Sequence, residues 1–126
     1  MSLSNNSLPG VILLAHGSRE PETEIELREL CRNLAESKKD SRFEIAFLNQ
    51  EPKLDQALDS LVSQGCAQVR ILPLLVFTGR HLREDIPNQI NELRSKHANV
   101  NIELEPHLYR LSGFANLLLP LISKDF

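Results

Sequence analysis

Two histidines, His16 and His81, follow apolar segments of strand length, at residues 11–15 and 73–77. Neutral imidazole is a common ligand of divalent Co, Fe, Ni and Zn, and two imidazoles leave coordination positions open for a substrate that also binds the metal. An imidazole with an ordinary pKa of about 6.5 also accepts a proton at neutral pH. Both histidines are therefore candidate metal ligands and bases. The alternative is that each is a loop residue hydrogen-bonded to the backbone.

Four arginines lie in or just after the loops that follow predicted strands: Arg19, Arg80, Arg83 and Arg110. A guanidinium group binds a carboxylate through two parallel hydrogen bonds, so these residues suit a ligand with several carboxylates. The alternative is ordinary surface pairing with acidic neighbours such as Glu20 and Glu84. The apolar segment 74–77 could contact a flat organic ring, or it could be a buried extension of its strand.

Strand-length apolar segments alternate with amphipathic segments of helical spacing along the chain. Strands are predicted at residues 11–15, 43–48, 69–72 and 100–104, and helices begin near Pro21, Leu54, Leu82 and Leu111. Asp85, two residues before Pro87, is a candidate cap of the third helix. This alternation predicts a three-layer α/β/α fold around a four-stranded parallel sheet, which we expect in the strand order 2-1-3-4. Ligands bind beyond the carboxyl ends of such strands, so His16 and His81 should face one cleft.

The length and charge of the chain restrict its organisation and its partners. Its 126 residues are enough for one domain, predicted over residues 10–126 after a disordered leader at residues 1–9. A net charge of −3, from 14 basic and 17 acidic residues, gives no basic field for a nucleic acid. No apolar run approaches the roughly 20 residues that span a bilayer, so no membrane partner is expected and a cytoplasmic location is predicted.

Residue identity excludes several enzyme classes. A histidine phosphatase needs an arginine directly before its His-Gly pair, where this chain has Ala15. A serine hydrolase needs a G-x-S-x-G turn, which is absent, as are the glycine-rich motifs that bind dinucleotides or ATP phosphates. The loops therefore offer imidazole and guanidinium groups rather than an activated serine or a nucleotide site.

Two motifs resemble those of a known enzyme family. His-Gly-Ser-Arg occupies residues 16–19, and Gly-Arg-His-Leu-Arg-Glu-Asp-Ile-Pro occupies residues 79–87. In this order and at this spacing they resemble the motifs of the CbiX-type sirohydrochlorin chelatases, in the single-domain short form of that family. The resemblance implies a chelatase-like, flavodoxin-like half domain. It also implies insertion of Co²⁺, or of Fe²⁺, into sirohydrochlorin in cobalamin or siroheme biosynthesis, without ATP or an organic cofactor.

The same resemblance implies a set of site residues. The metal-binding histidines of the family fall on His16 and His81. Many relatives have a glutamate where this chain has Asn49, and Glu51 is the nearest carboxylate, so we predict His16, His81 and Glu51 as catalytic residues. Sirohydrochlorin is a flat tetrapyrrole with eight carboxylates. Arginines could bind these carboxylates while the apolar segment 74–77 contacts the ring. The predicted substrate-binding residues are Ser18, Arg19, Phe77, Thr78, Gly79, Arg80 and Arg83.

Two further expectations concern assembly and turnover. The last helix, within residues 111–122, has more apolar residues than a single buried face of a helix requires. Short-form relatives also need a second domain to cover the surface that two-domain relatives cover within one chain. A homodimer is therefore predicted. The competing hypothesis on function is a domain of the same fold that binds or carries a tetrapyrrole or a metal without catalysis. A metal-insertion assay distinguishes the two hypotheses.

Overall fold

A four-stranded sheet forms the centre of the protein in a computed structural model that describes residues 7–126. Its strands are β1 (Gly10–Ala15), β2 (Arg42–Phe47), β3 (Gln68–Pro73) and β4 (Asn101–Leu104). All strand pairs are parallel, in the order β2-β1-β3-β4. The predicted sheet and its strand order are therefore confirmed.

Helices cover both faces of this sheet, because successive residues of a strand point to opposite sides. The helices are α1 (Pro21–Ser37), α2 (Leu54–Ser63), α3 (Ile86–Lys96) and α4 (Phe114–Ile122). On one face Leu13 of β1 packs in a cluster with Leu27 of α1. On the other face Ile12 and Leu14 pack in a larger cluster that contains the buried residues of α2 and α3. Coverage on both sides explains why β1 is a continuous apolar run.

The last helix, α4, packs on neither face of the sheet. None of its residues is buried, and Leu117 and Ile122 are 70% and 76% exposed. Its main contact is with the 3-10 turn Leu108–Arg110 that precedes it. The apolar spacing therefore predicted the helix, while its packing differs from that of α1, α2 and α3. Among residues 7–126, no helix is both long enough and apolar enough to cross a membrane.

The chain enters α3 through a π-helical turn, His81–Asp85. The Ile86 N–H donates to the carbonyl oxygen of His81, five residues earlier, and Pro87 lies in the first turn of α3, where its missing N–H is tolerated. Asp85 lies at the N-cap position of α3, as predicted, but its side chain makes no capping hydrogen bond and contacts His81 instead.

Part of the predicted leader is described by the structure. The Ser7 hydroxyl donates to the carbonyl oxygen of Gly65 at 2.8 Å, and the Arg42 N–H donates to the carbonyl oxygen of Pro9 at 2.9 Å. These bonds hold residues 7–9 beside the start of the sheet. The rest of the predicted leader, residues 1–6, lies outside the described residues.

Candidate metal-binding site

His16 and His81 meet at the carboxyl edge of the sheet, as the spacing predicted. His16 directly follows β1, and His81 begins the π-helical turn that follows β3, the neighbour of β1. The two Nε2 atoms are 3.2 Å apart and the ring centroids 4.9 Å apart, although 65 residues separate the histidines in the chain. Two nitrogens that each lie about 2 Å from one tetrahedral ion are about 3.3 Å apart. The pair therefore has the separation of two ligands of a single metal ion.

The turn after β1 holds His16 in place. Gly17 has a φ of +104°, a left-handed conformation that favours glycine, and a Cβ there would lie 3.2 Å from the Gln50 side chain. The Gln50 Oε1 accepts a hydrogen bond from the Ser18 N–H at 2.9 Å, and the Ser18 hydroxyl accepts one from the Glu20 N–H at 3.0 Å. The loops after β1 and β2 are thus bonded together around His16.

Asn49 contacts His16, the first histidine of the pair. The Asn49 amide nitrogen lies 3.1 Å from Nδ1 and 3.3 Å from Nε2 of His16. Glu51 is exposed in the same loop, and within the described part of the chain no hydrogen bond joins it to either histidine. The sequence does not predict this contact, since residue type alone does not show which loop side chain turns toward an imidazole.

Asp85 binds the other side of His81. Its Oδ2 lies 2.7 Å from His81 Nδ1, and both side chains are half-exposed. His81 therefore contacts a carboxylate through one ring nitrogen and His16 through the other. Among residues 7–126, no three His, Cys, Asp or Glu side chains converge on one point that could hold a metal ion.

The four arginines singled out in the sequence are all exposed: Arg19, Arg80, Arg83 and Arg110. The expected alternative was pairing with nearby acidic side chains. The ion pairs found within residues 7–126 involve other cations, and Asp85 pairs with a histidine. The guanidinium groups are therefore presented to solvent around the same edge of the sheet.

An exposed aromatic pair lies at this edge. Phe77 is 69% exposed and Tyr109 is 60% exposed, with ring centroids 5.8 Å apart. The loop after β4 is bonded to the segment after β3, since the Tyr109 N–H donates to the carbonyl oxygen of Val76 at 3.1 Å. The segment 74–77 thus leaves β3 and ends in exposed side chains. Tyr109 is not among the predicted site residues, although an aromatic residue in a strand-end loop is a usable signal in a chain with 5% aromatics.

Thr78 and Gly79 continue this surface toward His81. The Thr78 hydroxyl lies 3.3 Å from Nε2 of His107, in the loop after β4. The carbonyl oxygen of Gly79 accepts a hydrogen bond from the Arg83 N–H at 3.0 Å, which starts the helical turn that carries His81. The predicted substrate-binding residues after β3 therefore occupy one short exposed segment.

Comparison with known proteins gives relatives over most of the chain. A sirohydrochlorin cobaltochelatase from Sulfolobus acidocaldarius is 37% identical over 90 residues, which cover 69% of this chain and 70% of that protein. A sirohydrochlorin ferrochelatase from Bacillus subtilis is 29% identical over 93 residues, covering 73% of this chain and 36% of that protein. The chain thus spans about a third of the length of the Bacillus relative.

A solved structure agrees with the fold. The crystal structure of a CbiX protein from Marinobacter aquaeolei superposes with a TM-score of 0.76 and 30% identity, covering 90% of this chain and 92% of that one. The model of the CbiX family matches residues 10–124, which include both histidines and all four strands. The chain therefore belongs to the CbiX family.

Proposed function

We propose that this chain inserts a divalent metal, Co²⁺ or Fe²⁺, into sirohydrochlorin. The observation that carries the proposal is the pair of Nε2 atoms of His16 and His81, 3.2 Å apart at the carboxyl edge of the sheet. The names of the relatives support it, since one is a cobaltochelatase and the other a ferrochelatase of sirohydrochlorin. The metal is a substrate in this reaction, and residues 10–126 act as one chelatase domain.

The reaction balances without ATP. The macrocycle carries two pyrrole N–H groups, the metal enters with two positive charges, and two protons leave. The two imidazoles hold the metal and leave its other positions open, so that pyrrole nitrogens can replace solvent one at a time. When the metal passes to the macrocycle, the imidazole nitrogens that held it can accept protons. Glu51, exposed in the neighbouring loop, is the carboxylate we assign to proton removal.

The surface around the pair fits a flat ring with carboxylates at its rim. Phe77 and Tyr109 offer exposed aromatic area for the face of the macrocycle. Arg19, Arg80 and Arg83 are exposed at the same edge and can bind the rim carboxylates bidentately. Ser18, Thr78 and Gly79 provide hydroxyl and backbone groups between these side chains and the histidines.

A second copy of the chain is the partner we assign to α4. An open apolar groove of about 290 Å³ lies beside β3, with a lining that includes Leu72, Leu74, Leu108 and Leu111. The groove is on the α1 side of the sheet, since Leu72 and Leu74 pack against the α1 cluster. The segment Phe114–Ile122 has no charged residue, and all four of its leucines are exposed. Each copy thus carries both an apolar helix and an apolar groove, as a closed two-fold dimer requires.

The proposed activity is tested by mixing the purified protein with sirohydrochlorin and Co²⁺ and following the absorbance of the macrocycle. The expected result is metallation that is faster than in buffer alone and proportional to the protein concentration. Binding of the tetrapyrrole or the metal without faster metallation would overturn the proposal and favour a carrier.

A further inference from the structure

Asp85 and His81 form a hydrogen bond whose direction is fixed by chemistry. The Asp85 Oδ2 lies 2.7 Å from His81 Nδ1 within the π-helical turn. An ionised carboxylate only accepts hydrogen bonds, so His81 Nδ1 must carry the hydrogen. A neutral imidazole carries one N–H, and His81 Nε2 is therefore left with a free electron pair. This nitrogen points at His16, where the metal is expected.

We propose that Asp85 is a positioning residue that holds His81 in the Nδ1–H form, with the electron pair of Nε2 directed into the metal site. The proposal deepens the proposed function, in which His81 is a metal ligand. A carboxylate that accepts from the remote nitrogen of a metal-binding histidine fixes its tautomer and ring orientation and strengthens the ligand.

The hydrogen bond between Asp85 and His81 also determines which atoms donate and which accept in the contacts of His81 with His16 and of His16 with Asn49. If His81 Nε2 is the acceptor, the 3.2 Å contact requires His16 Nε2 to donate. His16 Nδ1 is then the acceptor, and the Asn49 amide nitrogen, 3.1 Å away, is a suitable donor, while the Gly17 carbonyl oxygen, 3.4 Å from Nδ1, receives no hydrogen in this tautomer. One hydrogen thus lies between the two Nε2 atoms, and it must leave that place when both nitrogens bind a metal. His16 has to change tautomer on metal binding, whereas His81 is already in the binding form.

The isosteric substitution Asp85→Asn distinguishes selection of the His81 tautomer from mere stabilisation of the π-helical turn. An amide can accept or donate, so the side chain keeps a hydrogen bond to His81 but no longer selects one tautomer. Asp85→Ala removes the bond altogether. Glu84→Gln is the matched control, because Glu84 is an exposed acid of the same turn and forms no hydrogen bond or ion pair with His81 in the structure.

The first measurement is the protonation of the His81 ring nitrogens in metal-free protein, read from their nitrogen-15 chemical shifts. We expect hydrogen on Nδ1 in the wild-type protein and in Glu84→Gln, and a mixture of tautomers in Asp85→Asn. Hydrogen on Nε2 of His81 in the wild-type protein would overturn the proposal, whatever the variants do.

The second measurement is Co²⁺ affinity by equilibrium dialysis, without tetrapyrrole. Asp85→Ala should bind Co²⁺ about 10-fold to 100-fold more weakly, and Asp85→Asn should also bind more weakly than wild type. Sirohydrochlorin affinity and thermal stability should stay at the wild-type level in Asp85→Asn, while unchanged Co²⁺ affinity in both variants would overturn the proposal. If the wild-type protein binds Co²⁺ through His81 but does not metallate sirohydrochlorin, the proposed function fails and the role of Asp85 stands.

Discussion

The histidines and arginines at the carboxyl edge have different tasks, so their substitution should have different effects. Arg19→Ala or Arg80→Ala should weaken sirohydrochlorin binding by about 1–3 kcal/mol, the range for hydrogen bonds to charged groups. The loss should be smaller at high salt, because the guanidinium groups are exposed and their charges are screened. Absorbance titration of the macrocycle measures the affinity.

Arg28→Ala is the matched control for these two variants. Arg28 is also exposed, but its guanidinium pairs with Glu24 at 2.9 Å on α1. Its substitution should leave sirohydrochlorin affinity unchanged. Equal affinities of Arg19→Ala, Arg80→Ala and Arg28→Ala would show that the strand-end arginines do not bind the macrocycle.

The histidine pair could be predicted from sequence, whereas its contact with Asn49 could not. His16 and His81 each follow a buried strand, and adjacent parallel strands bring their carboxyl ends to one edge. Asn49 reaches His16 through loop geometry, which no periodicity encodes, whereas Asp85 lies four residues after His81, a spacing that brings two side chains together on a helical turn. Glu51 is the carboxylate nearest to Asn49 in the sequence and is exposed in the same loop, and its role in proton removal stays a prediction.

At the scale of elements, apolar spacing predicted the strands and the packing of α2, but not the packing of α4. In α2 four of the five apolar residues at helical spacing are buried against the sheet, and Val62 is half-buried: Leu54, Ala57, Leu58 and Leu61 are the buried ones. In α4 the apolar residues are exposed. Spacing shows which face of a helix is apolar, but whether the chain returns to the sheet depends on the preceding turn. In the π-helical turn before α3, Leu82 lies four residues before Ile86, which is also the spacing of an α-helix. The sequence therefore predicts an α-helix from Leu82 and does not reveal the π-helical turn.

Cys66 gives a pH prediction for the packing between α2 and β3. Burial raises the pKa of its thiol, and the nearby charge of Arg42 offsets only part of this effect. The folded state therefore favours the neutral thiol. Its contribution to stability is complete below the thiol pKa of the unfolded chain, about 8.5, and is lost as the pH rises through the higher pKa of the folded state.

The free energy of unfolding should therefore fall more steeply above about pH 8.5 in the wild-type protein than in Cys66→Ala. Urea unfolding at several pH values measures both slopes. Replacing Cys66 by the smaller alanine lowers the free energy of unfolding by the same amount at every pH. This difference cancels when the slopes, rather than the absolute stabilities, are compared. Parallel slopes would show that the Cys66 thiol titrates alike in the folded and unfolded chains.

At the scale of the whole molecule, α1 covers its face of the sheet only in part. On that face α1 packs mainly against β2 and β1, while the groove beside β3 is open within residues 7–126. Each leucine that passes from water into an apolar groove contributes about 1.5–3 kcal/mol. We therefore expect light scattering at micromolar concentration to give a mass of twice 14.3 kDa.

The variant that tests this assembly carries Leu121→Asp and Ile122→Asp in α4, where both side chains are exposed in one copy. Its expected mass is that of a monomer, because two charges would enter the apolar groove. Ile25→Asp is the control, since Ile25 is 61% exposed on α1. A wild-type mass of 14.3 kDa would refute the dimer.

The central claim is that His16 and His81 together hold the metal that is inserted. The most direct test is the initial rate of Co²⁺ insertion into sirohydrochlorin by the variant that carries both His16→Ala and His81→Ala. The variant should bind sirohydrochlorin within a few-fold of wild type, and its metallation rate should equal the rate in buffer, because no imidazole remains to present the metal. Metallation by this variant at the wild-type rate would contradict the claim.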